Sequence, residues 1–401
     1  METVFVVDAL RSPIGRHRGG LSAVRTDDLA AHVVRALCAR NEAAAARVDQ
    51  VVFGSTNQAG EDNRNVARMA VLLAGLPYEV PAVTVNRLCG SGLEAVNDAA
   101  RMIAMGEANV VVAGGVESMT RAPYSMSKAE EEFPRTPPKV YDTTLGWRYP
   151  NKAMEARLGG LIGMGETAEN VAKKYGIGRE EQDKFALESH KKAAAAWESG
   201  AFAKEVAPVS IPQRKGPALE VARDESVRPD SSLEKLAKLP AVFREGGSVT
   251  AGNSSPINDG SAAVLLCSES AVKELGLTPQ LRWVTSATAG VDPNYMGEGP
   301  IPATKKALTR AGLRAPNVDL VELNEAFAAQ SLACLRGLDL DPARVNVLGG
   351  AIALGHPIGA SGARIVATLL SAMAKTPNAK VGLCTLCIGV GQGIATLFER
   401  A

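Results

Sequence analysis

The chain has 401 residues, with 44 basic against 43 acidic side chains and a net charge of +1. That balance, with no basic stripe, argues against a general nucleic-acid binder. No apolar run approaches the ~20 residues of a membrane-spanning helix. Hydrophobic residues make up 46% and charged ones 22%, the composition of a soluble protein with a large core, and the length predicts two or three domains of about 100–200 residues each. The first residues read as a buried strand rather than a secretory signal, and the last carry no retention or peroxisomal tripeptide, so a cytoplasmic setting is expected. Six cysteines in a chain of this size do not make a disulfide scaffold.

In chain order, apolar runs at 4–8, 50–54, 82–86 and 109–114 read as strands, and helical periodicity marks 27–40, 66–74 and 92–103. Strand–helix alternation predicts an α/β layer with a mostly parallel sheet. From about 121 to 245 the chain changes character: charges and prolines multiply, and one good helix spans 180–199. This reads as an inserted, loop-rich region of the kind that covers binding sites. Strands are then expected at 248–251, 262–267, 318–323, 346–347, 381–385 and 394–399, with helices at 304–311, 327–337 and 362–374. A constant offset of 270 residues relates Val48-Asp49 to Val318-Asp319, Ser91-Gly92 to Ser361-Gly362 and Val96 to Val366. Two similar halves, with the helices after Gly92 and Gly362 as partners at the core, account for it.

Four segments carry chemistry. In Asn86-Arg87-Leu88-Cys89-Gly90-Ser91-Gly92 a cysteine precedes small residues at a helix start. Unpaired N–H groups there favour the thiolate, the reactive form. In the run from Gly349 to Gly362, His356 sits among glycines in a turn before a helix, which suits close approach of a substrate or of backbone. In Cys387-Ile388-Gly389 a second cysteine ends a strand; it is either a core thiol or the neighbour of an N–H, that of Gly389, aimed at a developing oxyanion. In Asn324-Glu325-Ala326-Phe327 the asparagine is either an ordinary helix cap or a ligand for a water or oxyanion. Cys38, Cys267 and Cys334 read as core residues. Cys384 and Cys387 form a CxxC spacing, but a single such pair without histidines at ligand spacing does not build a zinc site.

Together these segments resemble the thiolase family, in the family's order and spacing and over essentially the whole chain. Further stretches share the resemblance: Gly114-Gly115-Val116-Glu117-Ser118-Met119, Met164-Gly165-Glu166-Thr167-Ala168-Glu169-Asn170 and Thr250-Ala251-Gly252-Asn253. The likeness is to bacterial acetyl-CoA acetyltransferases and 3-ketoacyl-CoA thiolases, including those with Asp142-Thr143-Thr144-Leu145-Gly146-Trp147-Arg148. It implies an α/β fold of two similar βαβαβαββ halves stacked as α-β-α-β-α layers. The N-terminal half would take 1–120 plus 246–275, an inserted loop domain for coenzyme A 121–245, and the C-terminal half 276–401.

The resemblance also implies roles. Cys89 would accept the acyl group, His356 activate it, and Cys387 move the α-proton. Asn324 would hold a water that joins His356 in binding the thioester oxygen, and the N–H groups of Cys89 and Gly389 would form a second oxyanion hole. Coenzyme A would meet Met164, Arg228, Phe243, Ala251, Ser255, Met296, Ala326 and Phe327. The implied reaction is a ping-pong acyl transfer on acyl-CoA substrates: condensation of acetyl-CoA, or coenzyme A-dependent cleavage of 3-ketoacyl-CoA as in fatty-acid β-oxidation. It uses no metal and no permanently bound cofactor. A homotetramer or dimer is implied, with no nucleic-acid or membrane partner. A decarboxylating ketosynthase-like enzyme, a cysteine hydrolase using Cys89, His356 and Asn324, and a non-catalytic acyl-CoA-binding protein of the same fold are the alternatives; the second thiol argues against the first. Three departures stand out. Gly163 precedes Met164 where biosynthetic members often have histidine, Val390 stands where many members have glycine, and Cys384 is an extra thiol that could oxidise with Cys387.

Overall fold

The computed structural model describes residues 2–129 and 131–401. Its first half is built from β1 (Val4–Arg11), α1 (Thr26–Arg40), β2 (Gln50–Gly54), α2 (Val66–Ala74), β3 (Ala82–Val85), α3 (Ser91–Ala104) and β4 (Val110–Ser118). It closes with β5 (Asn258–Ser268). These strands lie in the order β3-β2-β4-β5-β1; β2 is parallel to both neighbours and β5 antiparallel to both of its own. Between β4 and β5 the chain makes two long helices, α4 (Met164–Tyr175) and α5 (Arg179–Glu198), among short hairpins and loops.

The second half repeats the plan with β6 (Leu281–Gly290), α6 (Pro300–Ala311), β7 (Leu320–Leu323), α7 (Ala328–Leu338), α8 (Ser361–Lys375), β8 (Val381–Ile388) and β9 (Gln392–Arg400). Its strands run β7-β8-β9-β6, and the two halves join edge to edge where Phe5 pairs with Arg282 and Val6 with Leu281.

Side-chain alternation along the strands divides the core into layers. Val111, Ala113, Val264, Leu266, Leu386 and Ile394 face inward onto α3 and α8, burying Leu93, Val96, Ile103, Ile365, Val366 and Leu369. Val110, Val112 and Leu265 face outward under α1 and α2. Leu383, Ala395 and Leu397 face outward under α6 and α7. The result is the α-β-α-β-α sandwich. It explains why β4 and β5 are buried along their whole lengths and read as continuous apolar runs.

The 270-residue repeat has a physical basis in this sandwich. Asp49 Oδ2 accepts bonds from the N–H groups of Asn109 and Val110, and Asp319 Oδ2 accepts the same pair from Lys380 and Val381. Gly92 and Gly362 meet where α3 and α8 start side by side. A Cβ on Gly92 would lie 2.7 Å from the Ala363 nitrogen, and one on Gly362 only 2.0 Å from the Leu93 nitrogen.

The sheet is mixed, with more antiparallel than parallel pairings, and not mostly parallel as the strand–helix alternation suggested, because β5 and β9 each return antiparallel to both neighbours. Three elements also depart from the sequence reading. The expected strand at 346–347 is absent because Asn346 takes a left-handed φ of 47°, which ends extended backbone. Its side-chain amide instead bonds the N–H and C=O of Leu323 at 2.9 and 2.8 Å, standing in for a ladder rung. The expected strand at 248–251 is a turn: the Thr250 N–H donates to Asn253 Oδ1 while Thr250 Oγ1 accepts from the Gly252 and Asn253 N–H groups. Conversely, β6 was not anticipated. A bulge between Trp283 and Thr285 breaks its period-2 pattern, and most of its residues are half-buried.

Because backbone atoms of α3 leave no space at the helix contact, Gly362→Val is expected to lower unfolding stability by about 3 kcal/mol or more. Urea titration checks this; a midpoint equal to that of the unaltered chain would contradict the contact.

Candidate active site

Cys89 lies in the turn between β3 and α3. Leu88 holds a left-handed φ of 47°, its N–H bonded to Asn86 Oδ1, while the Ser91 hydroxyl donates to the Leu88 carbonyl and accepts the Arg87 N–H. Gly90 follows because a Cβ there would lie 2.7 Å from Ile388 Cδ1. Arg87 pairs with Glu94 and donates to Gln392 Oε1 at 3.2 Å, which ties the turn to the start of β9.

Gly389 lies against this turn: a Cβ on it would sit 3.4 Å from Leu88 Cδ1 and from the Met164 sulfur. The Gly389 N–H favours the thiolate of the half-buried Cys89, but desolvation outweighs it and pushes Cys89 up to about 11. Desolvation thus opposes the thiolate that the helix start favours. Burial also pushes the Cys387 thiol far above its ordinary value, and the neighbouring Cys89 adds to the rise. The two sulfurs face the same space. Cys384 does not. Three residues apart in a strand, the two side chains point to opposite faces. Cys384 packs inward beneath α8, with its thiol toward the Ile365 carbonyl at 3.6 Å, whereas Cys387 packs among Ala168, Val249, Met296, Ala326 and Phe327. A Cys384–Cys387 disulfide is excluded by this geometry.

His356 is held on three sides. Its N–H donates to Asn258 Oδ1 at 2.9 Å, and Gly355 before it has a φ of 116° with no space for a side chain. Its Nδ1 lies 2.6 Å from Ser361 Oγ, whose hydroxyl donates to the Pro357 carbonyl. The hydroxyl proton is committed, so Ser361 accepts from Nδ1–H, and Nε2 keeps its lone pair. Burial, followed by the nearby Arg364 charge, pushes His356 down to about 3, which keeps the imidazole neutral. Asn324 ends β7, its N–H on the Thr385 carbonyl. Its Nδ2 stands 3.4 and 3.5 Å from the two ring nitrogens, and its Oδ1 accepts from Arg364 Nη2 at 3.2 Å.

The histidine turn is seated on the nucleophile's helix. A Cβ on Gly115 would lie 2.1 Å, and one on Gly92 2.9 Å, from the Gly359 carbonyl oxygen. Glu117, buried at the end of β4, accepts the Gly359 N–H together with the N–H groups of Thr56 and Asn57 and the Thr56 hydroxyl. Three residues to which the sequence reading gave no role, Glu117, Ser361 and Arg364, thus position the machinery. Ser361 and Arg364 lie one helical turn apart on α8, which is the available signal for their shared face.

Of the residues expected to meet coenzyme A, six gather beside Cys387. Met164, Met296, Ala326 and Phe327 join its apolar cluster, Phe243 meets the Phe327 ring edge-on at 6.2 Å, and Ser255 bonds the Ala326 carbonyl through its N–H and hydroxyl. Phe243 is 41% exposed, so this cluster opens to solvent. Ala251 is exposed on the neighbouring turn, and Arg228 is exposed with its N–H on His190 Nδ1; neither contacts the cluster. Among the described residues no group of three or more His, Cys, Asp or Glu side chains is placed to hold a metal ion, and no helix is long and apolar enough to cross a membrane.

Comparison with known proteins gives matches along nearly the whole chain. Residues 4–270 match the thiolase N-terminal domain and residues 277–400 the thiolase C-terminal domain. The chain is 55% identical over 403 aligned positions to a beta-ketoadipyl-CoA thiolase of Acinetobacter baylyi, covering 100% of both. It is 53% identical to the 3-oxoadipyl-CoA/3-oxo-5,6-dehydrosuberyl-CoA thiolase of Escherichia coli, again over 100% of each. Among solved structures, acetyl-CoA acetyltransferase of Bacillus anthracis superposes with a TM-score of 0.93 at 41% identity, covering 100% of this chain and 99% of that one. Human mitochondrial 3-ketoacyl-CoA thiolase in complex with CoA gives 0.92 at 41% identity, covering 100% and 98%.

Two measurements check the site. With Cys89 near 11, its alkylation by iodoacetamide should accelerate about tenfold per pH unit up to roughly pH 10. A plateau near neutrality would indicate a resting thiolate–imidazolium pair instead. Val390, a β-branched residue at φ 63° beside Gly389, is strained. Val390→Gly is expected to raise stability by about 1 kcal/mol in thermal or urea unfolding; a loss would contradict the strain.

Proposed function

This chain belongs to the thiolase family and is an acyltransferase acting on coenzyme A thioesters without a resident cofactor, and from that premise we propose that it cleaves 3-oxoadipyl-CoA, or a closely similar dicarboxylic 3-ketoacyl-CoA, through an acyl-Cys89 intermediate. The observation that supports the mechanism is the approach of the two cysteine turns: Gly90 packs against Ile388, and Met164, a neighbour of Cys387, lies with Leu88 beside Gly389.

In this reading His356 Nε2 takes the Cys89 proton as the sulfur attacks the 3-keto carbon. The bond between the second and third carbons breaks, and its electron pair becomes the enolate of acetyl-CoA. Cys387 donates its proton to that carbon. Coenzyme A then gives its thiol proton to the Cys387 thiolate and attacks the acyl group. Cys89 leaves and recovers its proton from His356. Condensation is the reverse. With one thiol far above neutrality and the imidazole near 3, a stable ion pair is disfavoured, so proton transfer accompanies carbon–sulfur bond formation. The enolate oxygen is stabilised by His356 and a water on Asn324, and the tetrahedral oxygen by the N–H groups of Cys89 and Gly389, each donor contributing about 3–4 kcal/mol. A decarboxylating ketosynthase would place a second histidine or an asparagine where Cys387 stands.

The dicarboxylic substrate is supported by the names of the full-length relatives and by one cation. The partly buried Arg148 guanidinium donates to the Thr143 carbonyl at 2.8 Å and has no acidic partner among the described residues. Thr143 Oγ1 accepts from Asn57, whose N–H is bound by the same Glu117 that holds the histidine turn. A free charge on that wall suits a terminal carboxylate. This reading favours a dicarboxylic acyl-CoA over general fatty-acid β-oxidation. We propose in addition that the enzyme works in the cytoplasm as a dimer or tetramer. The edge strand β3, with Val83 38% exposed and Leu72 and Leu73 exposed beside it, is the face for a second copy.

The test compares kcat/KM for 3-oxoadipyl-CoA and for 3-oxohexanoyl-CoA, which lacks the terminal carboxylate. A preference of about tenfold or more for the dicarboxylic substrate is expected, falling to near parity in Arg148→Met. Equal rates in the unaltered enzyme would reject the substrate assignment while leaving the thiolase chemistry in place.

A further inference from the structure

We propose that Arg364, paired with the buried Glu322, is a positioning residue that locks the Asn324 amide so that Nδ2 faces His356 and the substrate pocket. The inference rests on the reading of Asn324 as part of the enolate-stabilising site.

The two ends of an asparagine amide are nearly equal in shape and opposite in chemistry: one donates, the other accepts. Flipped, Asn324 would turn a carbonyl toward His356 and toward the water of the enolate site, competing for that water's hydrogens instead of donating to its oxygen. Nothing in the backbone of Asn324 prevents the flip, since its N–H bond to Thr385 holds only the main chain. A guanidinium prevents it. It carries donors and no acceptor, so Arg364 Nη2, 3.2 Å from Oδ1, can satisfy only one orientation of the amide.

Arg364 is a costly residue at its position. It is 1% exposed, at the inward face of α8. Its only ion-pair partner, Glu322 at 3.6 Å, is equally buried, and Arg364 Nε, Arg364 Nη1 and Glu322 Oε2 find no hydrogen-bonding partner among the described residues. A buried pair with this geometry is a poor source of stability. Burial pulls Arg364 below its ordinary value and pushes Glu322 up to about 8, so the carboxyl is largely protonated near neutrality and compensates the guanidinium only weakly. The placement makes sense by what it holds. Ser361 and Arg364, one turn apart on α8, fix the tautomer of His356 and the orientation of Asn324 respectively, and the Arg364 charge also helps keep the imidazole neutral.

The two half-reactions separate this role from a structural one. Acylation of Cys89 uses the Cys89 and Gly389 N–H groups, whereas enolate formation uses Asn324. In Arg364→Met, exchange of the α-protons of acetyl-CoA with D2O should fall about 100-fold, with Cys89 acylation within about threefold of the unaltered enzyme. Because Arg364→Met leaves the buried Glu322 carboxyl without its partner, the decisive protein is the charge-free double variant Glu322→Gln with Arg364→Met, whose thermal midpoint should recover. Persistence of the exchange defect in that protein, with no further loss on adding Asn324→Ala, supports the lock. Recovery of exchange together with stability would overturn it, as would equal losses in acylation and exchange. Asn324→Ala alone is the control for the underlying reading: normal exchange in that variant would remove Asn324 from the site altogether.

Discussion

The structure depends on a contact with no side chain in it. Where α3 and α8 begin, Gly92 and Gly362 let the two backbones touch, each occupying the space where the other's Cβ would lie. That approach brings two turns, distant in sequence, against one another. Cys89 enters from the turn before α3, and His356 from the turn before α8. Gly359 completes the seat, its carbonyl lying against Gly92 and Gly115 and its N–H bound by Glu117. Even a methyl group at these positions would separate the nucleophile from its base. Packing of the central layer and assembly of the catalytic groups are therefore the same event.

Around that contact the site is arranged to keep its reactive groups neutral until substrate arrives. Burial holds both thiols protonated and the imidazole unprotonated. The fixed groups are already in place: the Gly389 turn against Leu88 and Met164, and the Asn324 amide beside His356. Neutral reactants among preset dipoles gain most when charge develops in the transition state, because no reorganisation is then needed. The same enclosure makes every supporting polar group conspicuous. Glu117 is bonded by four donors, and Ser361 both accepts and donates, so the loops they hold have little freedom.

Much of this was legible in the sequence, for identifiable reasons. Glycine-rich turns at helix starts located Cys89 and His356, and the 270-residue offset located the helix partnership, because a close backbone approach demands small residues at matching positions. Strands buried on both faces announced themselves as apolar runs. What escaped depended on side chains replacing backbone or on broken periodicity. Asn346 imitates a strand rung, Thr250 and Asn253 turn an apparent strand back on itself, and a bulge disguises β6. For Cys89 the helix start that favours ionisation is visible in sequence, whereas the desolvation that opposes it is not. The separate faces of Cys384 and Cys387 follow from strand geometry once β8 is known to run through both. Arg364 was overlooked because an arginine on a helix ordinarily reads as surface.

The central claim is that two thiols divide the chemistry, Cys89 carrying the acyl group and Cys387 moving the proton. Brief incubation with radiolabelled acetyl-CoA, acid quench and peptide mapping test it in the unaltered enzyme and in Cys387→Ala. The account predicts label on the Cys89 peptide in both proteins, with acetoacetyl-CoA formed only by the unaltered enzyme. Label on the Cys387 peptide, or condensation at a normal rate by Cys387→Ala, would contradict it.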